Sequence, residues 1–265
     1  MQRGDLLQAL IATAREAGQA VMEVYASTYE VSYKEDRSPL TTADKRSHEV
    51  IRARLRELTP DIPVLSEEGR SIPYAQRRNW REFYLVDPLD GTKEFINRNG
   101  EFTVNIALLR ENRPVAGVMD VPALGTTYYA EEDRGAYRLE GDAPPRRLSV
   151  RGEPDPEGLT VVASRSHATA ALEDYLRRLH VKELVSRGSA LKFALVAEGR
   201  ADIYPRLGPT WEWDTAAGHA ILLEAGGRVL DMEGNPLAYN KESLKHAGFL
   251  ALGVHAQGEV RRKRD

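Results

Sequence analysis

The sequence predicts a mixed α/β fold in which helices pack on β-sheets. Three observations predict this: helical apolar patterns at the start of the chain, β-rich segments in the middle, and alternating strands and helices towards the end. A chain of 265 residues buries roughly three quarters of its extended surface on folding. It is therefore long enough to form one large core or two modest ones.

The first two elements are predicted to be helices. Apolar residues between Leu6 and Tyr25 recur at i, i+3, i+4 and i+7, which indicates an amphipathic helix with one buried stripe. A second helix is predicted from Thr42 to Leu58, because Pro60 and Pro63 prevent its continuation.

Two short buried strands are predicted to end at acidic residues. Val64–Leu65 leads into Glu67–Glu68, and the apolar run 83–86 leads into Asp87. Strand ends face the crevices in which α/β proteins build their sites. These carboxylates are therefore candidate site residues.

The middle of the chain predicts an antiparallel meander. Its β-rich runs are Phe102 to Leu109, Pro114 to Val121 and Thr126 to Glu131. The stretch from Gly141 to Gly158 is rich in Gly, Pro and charge, and is the candidate junction between two subdomains, 1–150 and 151–265, of one compact unit.

Beyond this junction strands and helices alternate, which favours a sheet with helices packed on it. The predicted elements are a strand Leu159 to Ala163, a helix Thr169 to Leu179, a strand Leu184–Val185, a helix Leu191 to Glu198, a strand Ala201 to Tyr204 and a helix Trp213 to Glu224.

Composition narrows the classes of function. The chain has no cysteine, which excludes disulfide scaffolds, thiolate zinc sites, iron–sulfur clusters and cysteine nucleophiles. Any metal must be held by oxygen or histidine. The net charge of −3 offers no general basic surface for a nucleic-acid polymer. Only the tail 261–264 is strongly basic, and it fits either a solvated end or a contact with anionic lipid or RNA.

The chain has no apolar run long enough to span a membrane and does not begin with the apolar core of a signal peptide. We therefore expect a cytoplasmic location.

The most informative motif runs from Leu85 to Phe95. Asp87 and Asp90 flank a turn stiffened by Pro88, so they can share one hard cation or bridge two. The backbone N–H groups of Gly91 and Thr92, at the start of a predicted short helix, would face a phosphate. Taken alone, this spacing also fits a solvated turn.

Further carboxylates lie at comparable positions. Glu67 follows the first short strand, and Asp214 begins an apolar helix within the segment 211–218. Asp214 also fits an ordinary carboxylate at a helix N-terminus, and Asp44 also fits the first turn of the second helix.

Together these motifs resemble the inositol monophosphatase-like superfamily of magnesium-dependent, lithium-sensitive phosphatases, and within it the CysQ-type 3′(2′),5′-bisphosphate nucleotidases. The resemblance covers nearly the whole chain. It rests on Leu40-Thr-Thr-Ala-Asp44, Val64-Leu-Ser-Glu-Glu68, Asp87-Pro-Leu-Asp-Gly-Thr-Lys-Glu-Phe95, Asn105-Ile-Ala-Leu108, Ala163-Ser-Arg-Ser-His167, Gly188-Ser-Ala-Leu-Lys-Phe193 and Glu212-Trp-Asp-Thr-Ala-Ala-Gly218.

The resemblance implies a layered αβαβα sandwich with two Mg²⁺ ions in the cleft between an N-terminal α+β half and a C-terminal α/β half. It assigns one ion to Glu67, Asp87 and the backbone carbonyl of Leu89. It assigns the second ion to Asp87, Asp90 and Asp214. A third ion near Glu68 stays open as an alternative to a supporting role for that residue.

The resemblance also implies the catalytic and substrate-binding residues. Asp44 and Thr92 would orient the attacking water, with Glu67 as the third catalytic residue. Arg206 stands where inositol-directed relatives tend to have an acidic residue, and a guanidinium suits a second phosphate. Arg165 is a further candidate. The implied substrate-binding set is Leu89, Asp90, Gly91, Thr92, Ser189, Lys192, Arg206 and Asp214.

The activity implied is hydrolysis of the 3′-phosphate of 3′-phosphoadenosine 5′-phosphate, and of its sulfated analogue, as in nucleotide recycling during sulfate assimilation. One alternative is the same chemistry on inositol monophosphate or fructose 1,6-bisphosphate. An alternative of another class is a non-catalytic regulatory protein that binds a metal or RNA. The expected partner is a small phosphorylated nucleotide, and the sequence leaves open a monomer or a homodimer.

Overall fold

The structure, a computed structural model, describes residues 3–27, 31–33, 39–164, 170–254 and 256. These residues form helices and sheets in five alternating layers. The helices are α1 Arg3–Tyr25, α2 Thr42–Leu58, α3 Tyr74–Arg77, α4 Thr92–Ile96, α5 Ala170–Leu176, α6 Leu191–Ala197 and α7 Glu212–Glu224, with a 3₁₀ turn at Pro122–Leu124.

The larger sheet has seven strands: β3 Val64–Ser66, β4 Glu82–Asp90, β5 Thr103–Arg110, β6 Arg113–Val121, β7 Thr126–Glu131, β8 Gly135–Glu140 and β9 Arg146–Arg147. They lie side by side in chain order. Strands β3 and β4 are parallel, and each later pair of neighbours is antiparallel. A separate hairpin pairs β1 Val31–Tyr33 with β2 Pro39–Thr41.

The second sheet has five strands in the order β11-β10-β12-β16-β14. Its strands are β10 Leu159–Ser164, β11 Val181–Arg187, β12 Ile203–Arg206, β14 Arg228–Leu230 and β16 Phe249–Leu252, and a separate short ladder pairs β13 Thr210–Trp211 with β15 Lys245–His246.

The layers follow from which face of each sheet is apolar. Helices α1 and α2 pack on the face of the larger sheet that carries Val86 and Ile106. Helices α6 and α7 lie between its other face, which carries Leu85 and Ala107, and the second sheet. Apolar residues of α5 pack on the far face of the second sheet. The predicted mixed α/β fold is confirmed, and the layer order is αβαβα.

Helix α7 approaches the larger sheet very closely at Gly117. A Cβ atom there would lie 2.6 Å from the carbonyl oxygen of Ala217 and 2.9 Å from the Cβ of Ala220. Only glycine fits at this separation. This contact sets the distance between α7 and the sheet, and therefore the distance between Asp214 and the strand ends.

Most predicted elements are present with shifted ends. The structure has α2 and the third β-rich run with the predicted bounds, and the predicted meander is β5 to β7. The helix predicted from Thr169 ends at Leu176 instead of Leu179, and residue 169 itself lies outside the described part. The strand predicted from Ala201 is displaced to β12, and the two-residue strand at 184–185 extends to all of β11.

The prediction of a turn directly after Asp87 is wrong. Strand β4 continues through Asp90 and is the central partner of β3 and β5. Across the described residues, no helix is long and apolar enough to cross a membrane.

Candidate metal centre and active site

A β-bulge at the end of β4 turns two aspartates to the same side of the sheet. Asp87 lies opposite Asn105 and Asp90 lies opposite Thr103. Between these two pairs β4 advances by three residues while β5 advances by two. Residues three apart in a regular strand face opposite sides. The extra residue corrects this, so both carboxylates face the layer of α6 and α7.

Helix α2 helps to hold the bulge in place. The carbonyl oxygen of Pro88, within the bulge, accepts a hydrogen bond of 2.6 Å from the Ser47 hydroxyl of α2. Proline has no N–H to donate to a ladder, so its position at a bulge costs the sheet no hydrogen bond.

Three carboxylates converge beside this bulge. Oxygen atoms of Glu67, Asp87 and Asp214 all lie within 4.8 Å of one another. Glu67 directly follows β3, and its backbone N–H donates to the carbonyl of Val86, which holds it against β4. Asp214 comes from the first turn of α7. The sequence-predicted ligand Asp90 is outside this group of three, although it lines the same cavity.

The electrostatics of the group favour a bound cation. Burial raises the pKa of Asp87 well above its ordinary value, and repulsion from Glu67, Asp90 and Asp214 raises it further. Burial, followed by repulsion from Asp90 and Glu67, raises the pKa of Asp214 to about 7. Within the described part of the chain, no Lys or Arg forms an ion pair with Asp87, Asp90 or Asp214.

The donor set therefore fits a hard divalent cation. All the converging atoms are carboxylate oxygens, which Mg²⁺ prefers, and the charge they carry when ionised needs compensation in a buried site.

Asp214 also caps its own helix. Its Oδ2 accepts a hydrogen bond of 2.9 Å from the backbone N–H of Trp211 and another from the Thr210 hydroxyl. Trp211 and Trp213 stack with ring centres 4.9 Å apart. The cap holds the Asp214 carboxylate in one orientation, and no local motif in the sequence indicated the contribution of Thr210.

Asp44 and Thr92 meet at the other side of the bulge. The Thr92 hydroxyl donates to Asp44 Oδ1 at 3.3 Å. Asp44 is 2% exposed, and its Oδ2 accepts from both the backbone N–H and the hydroxyl of Thr41, each at 2.7 Å. The Leu89 carbonyl is a second acceptor for the same hydrogen, at 3.4 Å, so in either case the lone pairs of Thr92 Oγ1 are left to accept from another group.

Several site residues border one cavity of about 250 Å³, whereas Asp44 and Asp87 lie behind its wall. Leu89, a predicted metal and substrate residue, is 2% exposed and does not line this cavity; its carbonyl oxygen lies 3.4 Å from Thr92 Oγ1. The cavity wall includes these sequence-predicted site residues: Glu67, Asp90, Gly91, Thr92, Ser189, Lys192, Arg206 and Asp214.

The cavity wall includes two basic side chains, Lys192 and Arg206, here called its basic side; Glu67, Asp90 and Asp214 are called its acidic side. Lys192 is 4% exposed, donates to the carbonyl of Ser189, and lies 5.1 Å from the centre of the Tyr204 ring. Burial, with the nearby Arg206 charge, lowers the pKa of Lys192 to about 8. Arg206 donates to the carbonyl of Pro209 at 3.0 Å, and its buried Nε has no hydrogen-bond partner within the described ranges.

Ser189 lies at the cavity wall but its hydroxyl is directed to Asp90, at 2.6 Å. Thr103, which sequence reasoning did not single out, contacts Ser189 through a hydroxyl–hydroxyl hydrogen bond of 2.7 Å. The only sequence signal for Thr103 is its place two residues before the motif that begins at Asn105. Arg165 and the basic tail 261–264 lie outside the described residues.

Comparison with known proteins agrees with this architecture. The model of the inositol monophosphatase family matches residues 3–258. The 3′(2′),5′-bisphosphate nucleotidase CysQ of Salmonella typhimurium is 49% identical over 247 residues, which are 92% of this chain and 98% of that protein. The protein of the same name from Haemophilus influenzae is 38% identical over 250 residues, 94% of this chain and 93% of that protein.

Solved structures give the same result. The crystal structure of CysQ from Bacteroides thetaiotaomicron has a TM-score of 0.84 at 44% identity, covering 94% of this chain and 97% of that chain. The Thermotoga maritima inositol monophosphatase has a TM-score of 0.80 at 26% identity, covering 97% and 96%. The predicted layered sandwich is thereby confirmed, and the chain belongs to the inositol monophosphatase family.

Proposed function

We propose that this protein is a Mg²⁺-dependent phosphatase that removes the 3′-phosphate of 3′-phosphoadenosine 5′-phosphate, giving AMP and inorganic phosphate. We extend the proposal to the sulfated analogue of this nucleotide. One observation carries it: a single cavity is lined both by carboxylates and by the cationic side chains of Lys192 and Arg206. That arrangement suits a substrate with two separate anionic groups, and the Salmonella and Haemophilus relatives are named 3′(2′),5′-bisphosphate nucleotidases.

The acidic side would hold the metal. Glu67, Asp87 and the Leu89 carbonyl would bind one Mg²⁺, and Asp87, Asp90 and Asp214 a second. When bound, the ions supply positive charge to the phosphoryl oxygens and lower the pKa of a water molecule. The convergence of Glu67, Asp87 and Asp214 within 4.8 Å supports this assignment.

The chain's own residues would orient the attacking water. Thr92 donates its hydrogen to Asp44, so Thr92 Oγ1 can accept a hydrogen from water. Glu67, on the same cavity wall, can accept the other hydrogen. Together they aim an oxygen lone pair of the water at phosphorus, and no residue becomes phosphorylated.

The basic side would bind the second phosphate. Arg206 presents a fork of donors that matches phosphate oxygens, and its Nε has no hydrogen-bond partner among the described residues. Lys192 is protonated below a pKa of about 8 and adds a point charge. Residues before and after position 150 would therefore act together around the cleft, as the two predicted halves of one unit.

A substrate panel tests the proposal. The purified protein is assayed for phosphate release from the bisphosphate nucleotide, its sulfated form, inositol 1-phosphate and fructose 1,6-bisphosphate, with Mg²⁺ and with EDTA. We expect Mg²⁺-dependent turnover with the highest kcat/KM for the bisphosphate nucleotide. Much faster turnover of inositol 1-phosphate would overturn the choice of substrate.

Two variants separate catalysis from binding alone. Asp90→Asn is expected to lose turnover, while Asp142→Asn, at an exposed loop residue, is expected to keep it. Unchanged turnover in Asp90→Asn would instead support a non-catalytic role for the acidic side of the cavity.

A further inference from the structure

One oxygen of Asp90 is held by the segment that precedes α6. Asp90 Oδ2 accepts two hydrogen bonds of 2.6 Å, from the Ser189 hydroxyl and from the backbone N–H of Ala190. Within the described ranges, no hydrogen bond or ion pair reaches the other oxygen, Oδ1. Asp90 therefore has one oxygen committed to the protein and one available to a ligand in the cavity.

The hydrogen bond that Ser189 makes with Thr103 has a defined direction. A serine hydroxyl carries one hydrogen, and Ser189 gives it to the Asp90 carboxylate. The 2.7 Å contact between Thr103 Oγ1 and Ser189 Oγ must then have Thr103 as the donor. Thr103 has no exposed surface and lies directly opposite Asp90 in the ladder of β4 and β5.

The result is a two-step relay from Thr103 to Ser189 to Asp90. Both hydroxyl groups point the same way along it, so each hydrogen bond polarises the next, and the last one ends on a charge. A partly buried chain of this kind restricts the carboxylate more strongly than one isolated hydrogen bond.

The backbone conformations of Ser189 and Gly91 bring the Ser189 side chain close to Asp90. Ser189 has φ +55°, a left-handed conformation that residues other than glycine rarely adopt. Gly91 has φ +89°, and a Cβ there would lie 3.2 Å from the Ser189 Cβ, so the two segments touch closely. The neighbouring Gly188 N–H donates to the Glu101 carboxylate at 2.7 Å, which ties the same segment to the residues that precede β5.

We propose that Thr103 and Ser189 are positioning residues that hold Asp90 Oδ2, so that Oδ1 is presented to the cation in the cavity. Ser189 thus acts through Asp90 and not as the substrate-binding residue that the sequence suggested. Because the Ser189 carbonyl also accepts from Lys192, the same segment sets both the acidic and the basic side of the cavity. This inference rests on the proposed function, since it takes Mg²⁺ as the ligand of Asp90.

Thr103→Val tests the relay because it keeps the shape of threonine and removes its donor. We expect about a fivefold weaker Mg²⁺ affinity, as the loss of one neutral hydrogen bond predicts. Ser189→Ala removes the bond to the charge itself and should weaken Mg²⁺ binding by about tenfold or more. Thr103→Ser keeps the hydroxyl and is the matched control, with affinity within about twofold of the unchanged protein.

Binding is measured on the full chain without substrate, by calorimetric titration with Mg²⁺ and by the rise in Tm that Mg²⁺ produces. The Mg²⁺ midpoint and the nucleotide KM for phosphate release are measured in parallel. We expect the Mg²⁺ midpoint to move in both variants and the KM at saturating Mg²⁺ to stay within about twofold.

Other results would overturn the inference. A lower Tm in EDTA with unchanged Mg²⁺ affinity would mean that the relay only supports the fold. A raised KM with unchanged Mg²⁺ affinity would return Ser189 to substrate binding. If Thr103→Val does not fold, the Mg²⁺ affinities of Ser189→Ala and Ser189→Gly test the inference instead. Both variants lack the hydroxyl, and glycine accepts the positive φ at this position.

Failure of the proposed function gives a different pattern. If the unchanged protein itself binds no Mg²⁺, both the function and the relay's role are wrong. If it binds Mg²⁺ and turns over the nucleotide, but the variants bind Mg²⁺ equally well, only the relay's role is wrong.

Discussion

Replacing Asp214 with asparagine is expected to stabilise the metal-free protein and to remove its stabilisation by Mg²⁺. Burial and the charges of Asp90 and Glu67 raise the pKa of Asp214 to about 7. A raised carboxyl pKa means that the folded state holds the proton more tightly than the unfolded chain. The stability that this gives is complete below the unfolded pKa near 3.8 and is lost as the pH rises through 7.

The size of the effect follows from the shift. A change from 3.8 to about 7 corresponds to roughly 4 kcal/mol at 1.36 kcal/mol per unit. Because neighbouring carboxyl groups share protons with Asp214, we expect asparagine to gain about 2 kcal/mol at pH 8, or about 4 °C in Tm. Asparagine keeps a carbonyl oxygen for the Trp211 N–H that caps α7, so the helix start is retained.

Thermal unfolding at pH 6 and pH 8, each with EDTA and with Mg²⁺, measures this. In EDTA at pH 8, Asp214→Asn should have a higher Tm than the unchanged protein. The difference in Tm between the two proteins should be smaller at pH 6. With Mg²⁺ the order should reverse, because only the unchanged protein gains the full binding energy. Asp142→Asn, at an exposed position, should follow the unchanged protein throughout. A variant that is less stable in EDTA at pH 8 would contradict the raised pKa of Asp214, and one that Mg²⁺ stabilises equally would exclude Asp214 as a Mg²⁺ ligand.

Three further substitutions test the roles of Thr92, Arg206 and Gly117. Thr92→Val should lower kcat about 10²-fold without changing the Mg²⁺-dependent rise in Tm, whereas Thr92→Ser should retain most activity. Only a small loss of kcat in Thr92→Val would mean that the hydroxyl does not orient the water. Arg206→Met should raise the KM for the bisphosphate nucleotide about tenfold or more and leave the KM for the nucleoside 3′-monophosphate within about twofold. An equal change in both KM values would mean that Arg206 does not bind the second phosphate. Gly117→Ala should cost roughly 1–3 kcal/mol of unfolding free energy in urea, because the added Cβ meets the carbonyl of Ala217 at 2.6 Å; full stability would mean that α7 can move away from the sheet.

Local sequence signals predicted the elements that depend on local chemistry. The ends of α2 could be read directly, since Thr41 and Asp44 form a capping box at its start and Pro60 follows its end. The third β-rich run was predicted with its observed bounds because turn residues flank it. In these places propensity and tertiary packing favour the same structure.

The bulge in β4 was mispredicted because its signals are long-range. Asp-Pro and Asp-Gly are typical of turns, and the sequence around Asp90 predicts one. Pairing with Thr103 on β5 keeps the chain in the strand instead. Register between strands depends on both partners, so the sequence of β4 alone could not reveal it.

The candidate site also contains some features that a local motif could predict and others that depend on contacts between distant residues. Asp87, Asp90 and Thr92 belong to one short motif and were recognisable from it. The hydrogen bonds of Ser189 to Asp90 and of Thr103 to Ser189 join residues 99 and 86 positions apart. No local pattern marks such contacts, because they exist only once α6 is packed against the end of β4.

The most direct test of the central claim is ³¹P NMR of the Mg²⁺-supplemented reaction with 3′-phosphoadenosine 5′-phosphate in water enriched in ¹⁸O. If water oriented by Thr92 attacks the 3′-phosphate, the 3′ resonance should disappear while the 5′ resonance remains as AMP. The released phosphate should carry one ¹⁸O atom. Loss of the 5′ resonance, or release of phosphate without ¹⁸O, would contradict the account.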